Sequence, residues 1–195
     1  MIHPDDMFQA FEPHRGDAVV IVTGTGGRHW RDISNNEKRD LNVHGAMGQT
    51  SSAAMGFALA QPDEKVVFFD SEGALLMNLG ILATTAGMKP KNFFHFLMDN
   101  ECYATTGGQP VPNAKNIAYD VIAKGSGYPT TFAFDNLEDF SNNIEAILSM
   151  PGPVFVAMKV VPEVENVPIG QRIRWNPRSR DKVVSDLQGA LGPRN

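Results

Sequence analysis

The sequence predicts an α/β fold, a parallel sheet with helices on both faces, and three observations predict it. Apolar runs rich in Val and Phe recur at Ala18–Val22, Lys65–Asp70, Phe93–Asp99, Thr130–Phe134 and Gly152–Val161. The first of them is unbroken and β-branched, the pattern of a strand covered on both faces. Segments of helical pattern separate the runs, which is the order of βαβ units. Carboxylates, amides and glycines gather just past them, where a parallel sheet receives ligands.

Composition bounds the rest. The 195 residues suit one domain, 1–195, with an ample core and a polar, basic tail over 162–195. A net charge of −5 with no basic run argues against nucleic acid or an anionic membrane as partner. The single cysteine, Cys102, excludes an internal disulfide framework and fits a reducing compartment. The opening MIHPDDMFQAFEPHRGD has no basic stretch leading into an apolar one, so it does not read as a secretory signal. No apolar run approaches the roughly 20 residues that a membrane helix needs. The expected location is cytoplasmic.

In chain order, a short helix is expected at Asp5–Phe11, ended by Pro13, and then the first strand at Ala18–Val22. That strand runs into Thr23-Gly24-Thr25-Gly26-Gly27, which reads as an anion-binding nest or as a plain glycine turn. Arg28-His29-Trp30-Arg31 follows, either a grip for an anionic substrate head or a helix start with Trp30 packed inward. Leu41–Val43 is a short strand candidate. Ala53–Ala60 is a helix of small residues that should lie close against something. After the strand at Lys65–Asp70, one helix is expected over Gly73–Gly87, then the strand Phe93–Asp99 and a loop over Tyr103–Asn116. A helix at Asp120–Gly127 and the strand Thr130–Phe134 come next. Asn136–Ser149 is a helix with Asn136 as its cap and Glu138 and Asp139 in its first turn. The strand Gly152–Val161 and a closing helix at Lys182–Leu191 complete the chain.

The chemistry concentrates between Val66 and Pro110. In Asp70-Ser71-Glu72-Gly73-Ala74 a carboxylate at a strand end precedes glycine at a helix start. The carboxylate suits a hard cation and the helix start suits a phosphate. In Asp99-Asn100-Glu101-Cys102, at the next strand end, an amide oxygen and the backbone carbonyl of Cys102 would complete three protein ligands. Taken singly, either turn is also an ordinary polar strand end.

These residues resemble the diphosphate-binding domain of thiamine diphosphate enzymes, whose Gly-Asp-Gly and Asn-Asn or Asp-Asn correspond to Ser71-Glu72-Gly73-Ala74 and Asp99-Asn100. The resemblance is nearest to the decarboxylases of sulfopyruvate and phosphonopyruvate, through ALLMNLG, the Pro-Lys-Asn of MKPKNFF, TGGQP and the upstream Gly-Ala-Met-Gly. It covers roughly Asp17 to Val161.

The resemblance implies thiamine diphosphate and Mg2+ as cofactors, with Glu72, Asn100 and the Cys102 carbonyl on the metal. It implies Thr23, Gly24, Thr25, Gly73 and Ala74 around the diphosphate, and Ala46, Tyr103 and Ala104 beside the cofactor. Met47 would be the apolar wedge that bends the cofactor, where the residues alone also allow a core methionine. Arg28 would pair with the substrate anion, and His44 would carry a proton unless it is structural. One departure stands out: Glu72 replaces the family's Asp and reaches farther by one C–C bond, about 1.5 Å. Asp70, two residues back, is the secondary candidate.

Whole enzymes of this kind also have a pyrimidine-binding domain that carries the activating glutamate. The resemblance therefore implies a second, pyrimidine-binding subunit in a hetero-oligomer, α₂β₂ or larger. It implies decarboxylation of a small anionic 2-oxo acid. The alternatives are carboligation of the acetolactate-synthase type, or a non-catalytic, regulatory subunit with a degenerate metal site.

Overall fold

The computed structural model describes residues 1–24, 26–43, 47–164, 167–168, 171 and 178–192. Its frame is a six-stranded parallel sheet in the order β2-β1-β3-β4-β8-β7. The strands are β1 (Val19–Val22), β2 (Asp40–Asn42), β3 (Val66–Ser71), β4 (Phe93–Asp99), β7 (Thr130–Phe134) and β8 (Val154–Lys159). A separate hairpin, β5 (Cys102–Tyr103) with β6 (Gln109–Pro110), lies in the loop after β4. The helices are α1 (Pro4–Phe11), α2 (Gly26–Ile33), α3 (Thr50–Ala60), α4 (Glu72–Met77), α5 (Ile81–Met88), α6 (Tyr119–Gly125), α7 (Leu137–Ser149) and α8 (Arg180–Leu191). Among the described residues no helix is long and apolar enough to cross a membrane.

The central strands are apolar on both faces because helices cover both. Phe8 and Phe11 of α1, Trp30 of α2 and Phe140, Ile144 and Ile147 of α7 bury Val20, Phe69, Phe96 and Val156. On the opposite face, Ala54 and Ala58 of α3 and Leu187 of α8 meet Ile21 and Phe68. Leu75, Leu82 and Ala123 of α4, α5 and α6 meet Leu97 and Phe155. The register aligns Val22 with Phe69, Phe69 with Phe96, and Phe96 with Val156, so the carboxyl ends of β1, β3, β4 and β8 lie side by side. The chain leaves β1 for β2 on one side and returns to β3 on the other. That reversal opens the crevice in which open α/β sheets bind ligands.

The expected helix over Gly73–Gly87 is two helices. The backbone leaves α4 at Asn78 (φ −146°, ψ 53°) and resumes as α5 at Ile81. The cause is tertiary: the Asn78 side chain donates to the Gly48 carbonyl at 2.8 Å and to Ser52 Oγ at 3.4 Å. Asn136 does cap α7, accepting from the Asp139 N–H at 2.9 Å. The closing helix starts at Arg180 rather than Lys182, with Ser179 accepting from the Lys182 N–H. Arg172 and Arg174 of the tail lie outside the described residues.

Gly152, on the approach to β8, has no room for a side chain. A Cβ there would sit 2.6 Å from the Phe93 carbonyl oxygen and 2.8 Å from that of Pro90. Gly152→Ala should lower the unfolding free energy by about 1–3 kcal/mol through overpacking against backbone. Urea denaturation measures it, and an unchanged midpoint would refute the account.

Candidate functional site

The site is built from the chain exits of β1, β3 and β4. At the end of β3, Asp70 turns its carboxylate inward. Its Oδ1 accepts from the Ser71 N–H at 2.9 Å, and its Oδ2 lies 3.2 Å from His95 Nε2, both side chains being 1% exposed. The Tyr128 hydroxyl lies 3.5 Å from His95 Nδ1. This buried pair fixes the step from strand to helix.

Glu72 follows as the first residue of α4 and is completely buried, at 0% exposure. No side chain pairs with either carboxylate oxygen, and neither makes a hydrogen bond of good geometry, although backbone N–H groups lie close. Burial first, and the charge of Asp99 second, push its pKa up to about 8. Backbone N–H groups of Glu72 itself, Asn100 and Gly73 oppose the shift in part. A buried polar atom without a partner is rare in a folded protein. Two on one carboxylate at a strand end fit a hard cation.

The exit of β4 faces it. Asn100 is buried, and its Oδ1 accepts from the Cys102 N–H at 3.0 Å, which leaves that oxygen a second lone pair for a cation. Between them Glu101 adopts φ +66°, a left-handed conformation uncommon for a non-glycine residue. Lys159, the last residue of β8, places Nζ 2.7 Å from Asp99 Oδ2 and 2.9 Å from Glu101 Oε1. Burial raises the Asp99 carboxyl, and Lys159 opposes the rise. Burial, then the charges of Glu72 and Glu101, raise the Cys102 thiol, which removes it as a thiolate nucleophile. Among the described residues no group of three His, Cys, Asp or Glu side chains could hold a metal. A cation here must draw on amide, carbonyl and ligand oxygens beside Glu72.

The other expected positions distribute as follows. Thr23 follows β1, with its N–H on the Phe69 carbonyl at 3.1 Å. Gly24 (φ +61°) lies against Ser71, so the loops after β1 and β3 touch. Gly73 packs under Tyr103, whose ring carbon would sit 2.7 Å from a Cβ there. Ala74 and Ala104 are buried beside them. Met47 is 45% exposed and is therefore not a core methionine. Thr25, His44 and Ala46 lie outside the described residues.

The Arg28–Arg31 cluster is largely committed elsewhere. Arg28 pairs with Glu163 at 2.9 Å, so it stands in an ion pair of its own chain rather than as a free grip for a substrate. His29 sits 2.7 Å from Asp5 and 3.1 Å from Glu163, and Trp30 is buried against Phe8 and Phe11. Asp70 is tied to His95 and Ser71, away from a ligand's role. Asn78, His95 and Lys159 join the site from positions that carry little sequence signal. Their only sequence signal is a polar residue inside an apolar run, in ALLMNLG, FFHFLMD and VFVAMK.

The family described as thiamine pyrophosphate enzyme, C-terminal TPP binding domain, matches residues 22–158, which hold all three loops. The chain belongs to that family. Subunit beta of the sulfopyruvate decarboxylase of Methanothermobacter thermautotrophicus is 41% identical over 78% of this chain and 78% of its own length. The phosphonopyruvate decarboxylase of Streptomyces viridochromogenes is 32% identical over 76% of this chain, which spans 36% of that protein. The solved thiamine diphosphate-dependent 4-hydroxybenzoylformate decarboxylase of Rhodococcus jostii RHA1 shares the fold. Its TM-score is 0.66 at 20% identity, over 82% of this chain and 32% of its own.

The raised pKa of Glu72 has a measurable sign. In the folded protein it keeps its proton to about pH 8, whereas the ordinary value is 4.5. The folded state therefore binds more protons across that window, and stability falls as pH rises through it. Thermal melts of the metal-free protein should show this decline. Glu72→Gln should flatten it and melt higher than the parent at pH 8; an unchanged slope would remove Glu72 as its source.

Proposed function

We propose that this chain is the diphosphate-binding subunit of a two-subunit, thiamine diphosphate-dependent decarboxylase. Its substrate is a small anionic 2-oxo acid of the sulfopyruvate or phosphonopyruvate kind. The observation that carries the reading is the buried Glu72 carboxylate, unpaired at both oxygens and facing Asn100. The similarity to a decarboxylase subunit supports it.

In this reading Glu72, Asn100 and the Cys102 carbonyl hold Mg2+. The backbone of Thr23–Thr25 and of Gly73 and Ala74 would receive the diphosphate, with Ala46, Tyr103 and Ala104 beside it, and exposed Met47 would support the cofactor. Thiamine diphosphate, when bound, supplies the carbanion that adds to the keto carbon and the electron sink that lets CO2 leave. The residues of this chain bind, orient and exclude water around it. His44 is assigned the proton near the reacting carbon. Arg28 takes the substrate anion only by exchanging Glu163 for it.

The activating glutamate then belongs to a pyrimidine-binding partner in a cytoplasmic hetero-oligomer. Two features support a partner. The chain spans most of the beta subunit it resembles but about a third of the phosphonopyruvate decarboxylase. Also, α3 and α5 carry no charge and leave small residues exposed: Ala53, Gly56 and Ala60 on one, Ala83, Thr84 and Gly87 on the other. Helices apolar all round are usually buried. The outer faces of α7 and α8, by contrast, carry Glu138, Asp139, Glu145, Asp181 and Lys182.

Co-expression with the neighbouring reading frame tests the assembly, and calorimetry with thiamine diphosphate and Mg2+ tests the site. Binding is expected with the partner present, together with CO2 release from sulfopyruvate or phosphonopyruvate. Glu72→Ala should abolish cofactor retention. No binding with or without the partner would leave the regulatory alternative, and full activity of this chain alone would remove the partner. Ala83→Glu should abolish co-purification while changing stability by no more than about 0.5 kcal/mol, as exposed substitutions do.

A further inference from the structure

Lys159 is the one charged residue of β8, whose other members are Val154, Phe155, Val156, Ala157 and Met158. Its ammonium group lies between two carboxylates that flank Asn100, 2.7 Å from Asp99 and 2.9 Å from Glu101. Two further carboxylates, Asp120 and Asp135, line the same cavity of about 370 Å³ beside Lys159, yet its ion pairs go to Asp99 and Glu101. The choice matters because of what the clamped segment does. Asp99 Oδ1 accepts from the Glu101 N–H at 3.3 Å, and the Glu101 carbonyl accepts from the Val111 N–H at 3.1 Å. Together with Lys159 these bonds hold Glu101 at φ +66°. That one left-handed residue lies within the turn in which Asn100 Oδ1 accepts from the Cys102 N–H at 3.0 Å.

We propose that Lys159 is a positioning residue for the metal loop. It touches neither metal nor substrate. It holds the Asp99 and Glu101 carboxylates on its own ammonium group, so that Asn100 and Cys102, and not the neighbouring carboxylates, are presented to a cation on Glu72. Without Lys159, Asp99 is a buried carboxylate with no countercharge, one residue from Asn100, held only by the Glu101 N–H, and competes for the same ion. The inference rests on the metal site proposed above.

The test is calorimetric titration of the full chain with Mg2+ and inorganic diphosphate as the probe. Lys159→Met should weaken binding by about tenfold or more, the size expected when the support of a ligand is removed. Lys159→Arg, which keeps the charge and both carboxylate partners, should recover most of the loss. A role in stability alone would lower the urea midpoint and leave the affinity of the folded protein unchanged. Glu101→Gln, which cuts one arm of the clamp at a partly exposed position, gives the same reading should Lys159→Met not fold. Wild-type affinity in both Lys159→Met and Glu101→Gln would overturn the clamp and leave the metal site standing. Absence of binding by the wild type, both alone and with the partner subunit present, would overturn the metal site and the clamp with it.

Discussion

Burying an ionised carboxylate without a hydrogen-bond partner costs several kcal/mol, and Glu72 is buried with both oxygens unpaired. The protein meets the cost in part by leaving Glu72 protonated until about pH 8. That solution is temporary for a ligand. At the proposed metal site a cation would have to displace the proton, and its affinity would then rise with pH through the same range. The neighbouring structure keeps the carboxylate where it is. The step from β3 to α4 is pinned by Asp70 and His95, Gly73 admits the Tyr103 ring, and the Asp99–Cys102 turn closes the opposite side.

The polar residues inside the apolar strands share one feature. His95, Asp70 and Lys159 each interrupt a run that burial would keep hydrophobic, and each is tied to a charged side chain from another element: Asp70 and His95 to one another, Lys159 to Asp99 and Glu101. A buried ion pair is weak support for stability, because desolvation offsets most of its attraction. Its use here is geometric. Lys159 carries the position of β8 to the loop after β4, and Asn78 carries that of α4 to the loop around Gly48.

The two faces of the sheet differ in what they offer to water. One is covered by α1, α2 and α7, with α7 charged outward. The other presents α3 and α5, uncharged and rich in alanine and glycine. The glycines at 56, 80 and 87 have open space where a side chain would project. The partner proposed for this chain would find room for close approach on such a face. Exposed Met47 and Met77 adjoin it where Gly48 packs on α4, which puts the uncovered surface and the site at one end of the molecule.

The sequence by itself determined the architecture, because unbroken apolar strands and intervening helices repeat with a period that local patterning records. It also marked Glu72 and Asn100, since a carboxylate and an amide at two strand ends are visible without coordinates. The break at Asn78 was not visible. That residue gives up its helix for the Gly48 carbonyl, 30 residues earlier in the chain. Nor was the fate of Arg28, whose partner Glu163 is 135 residues away. Asp99 and Lys159 are register partners on adjacent strands, and Asp70 meets His95 diagonally, because its own partner in the register is Leu97 and that of His95 is Phe68. Tertiary structure decided these matters for one physical reason. Local patterning reports which face of an element is apolar, whereas the partner of a buried charge depends on which strands become neighbours.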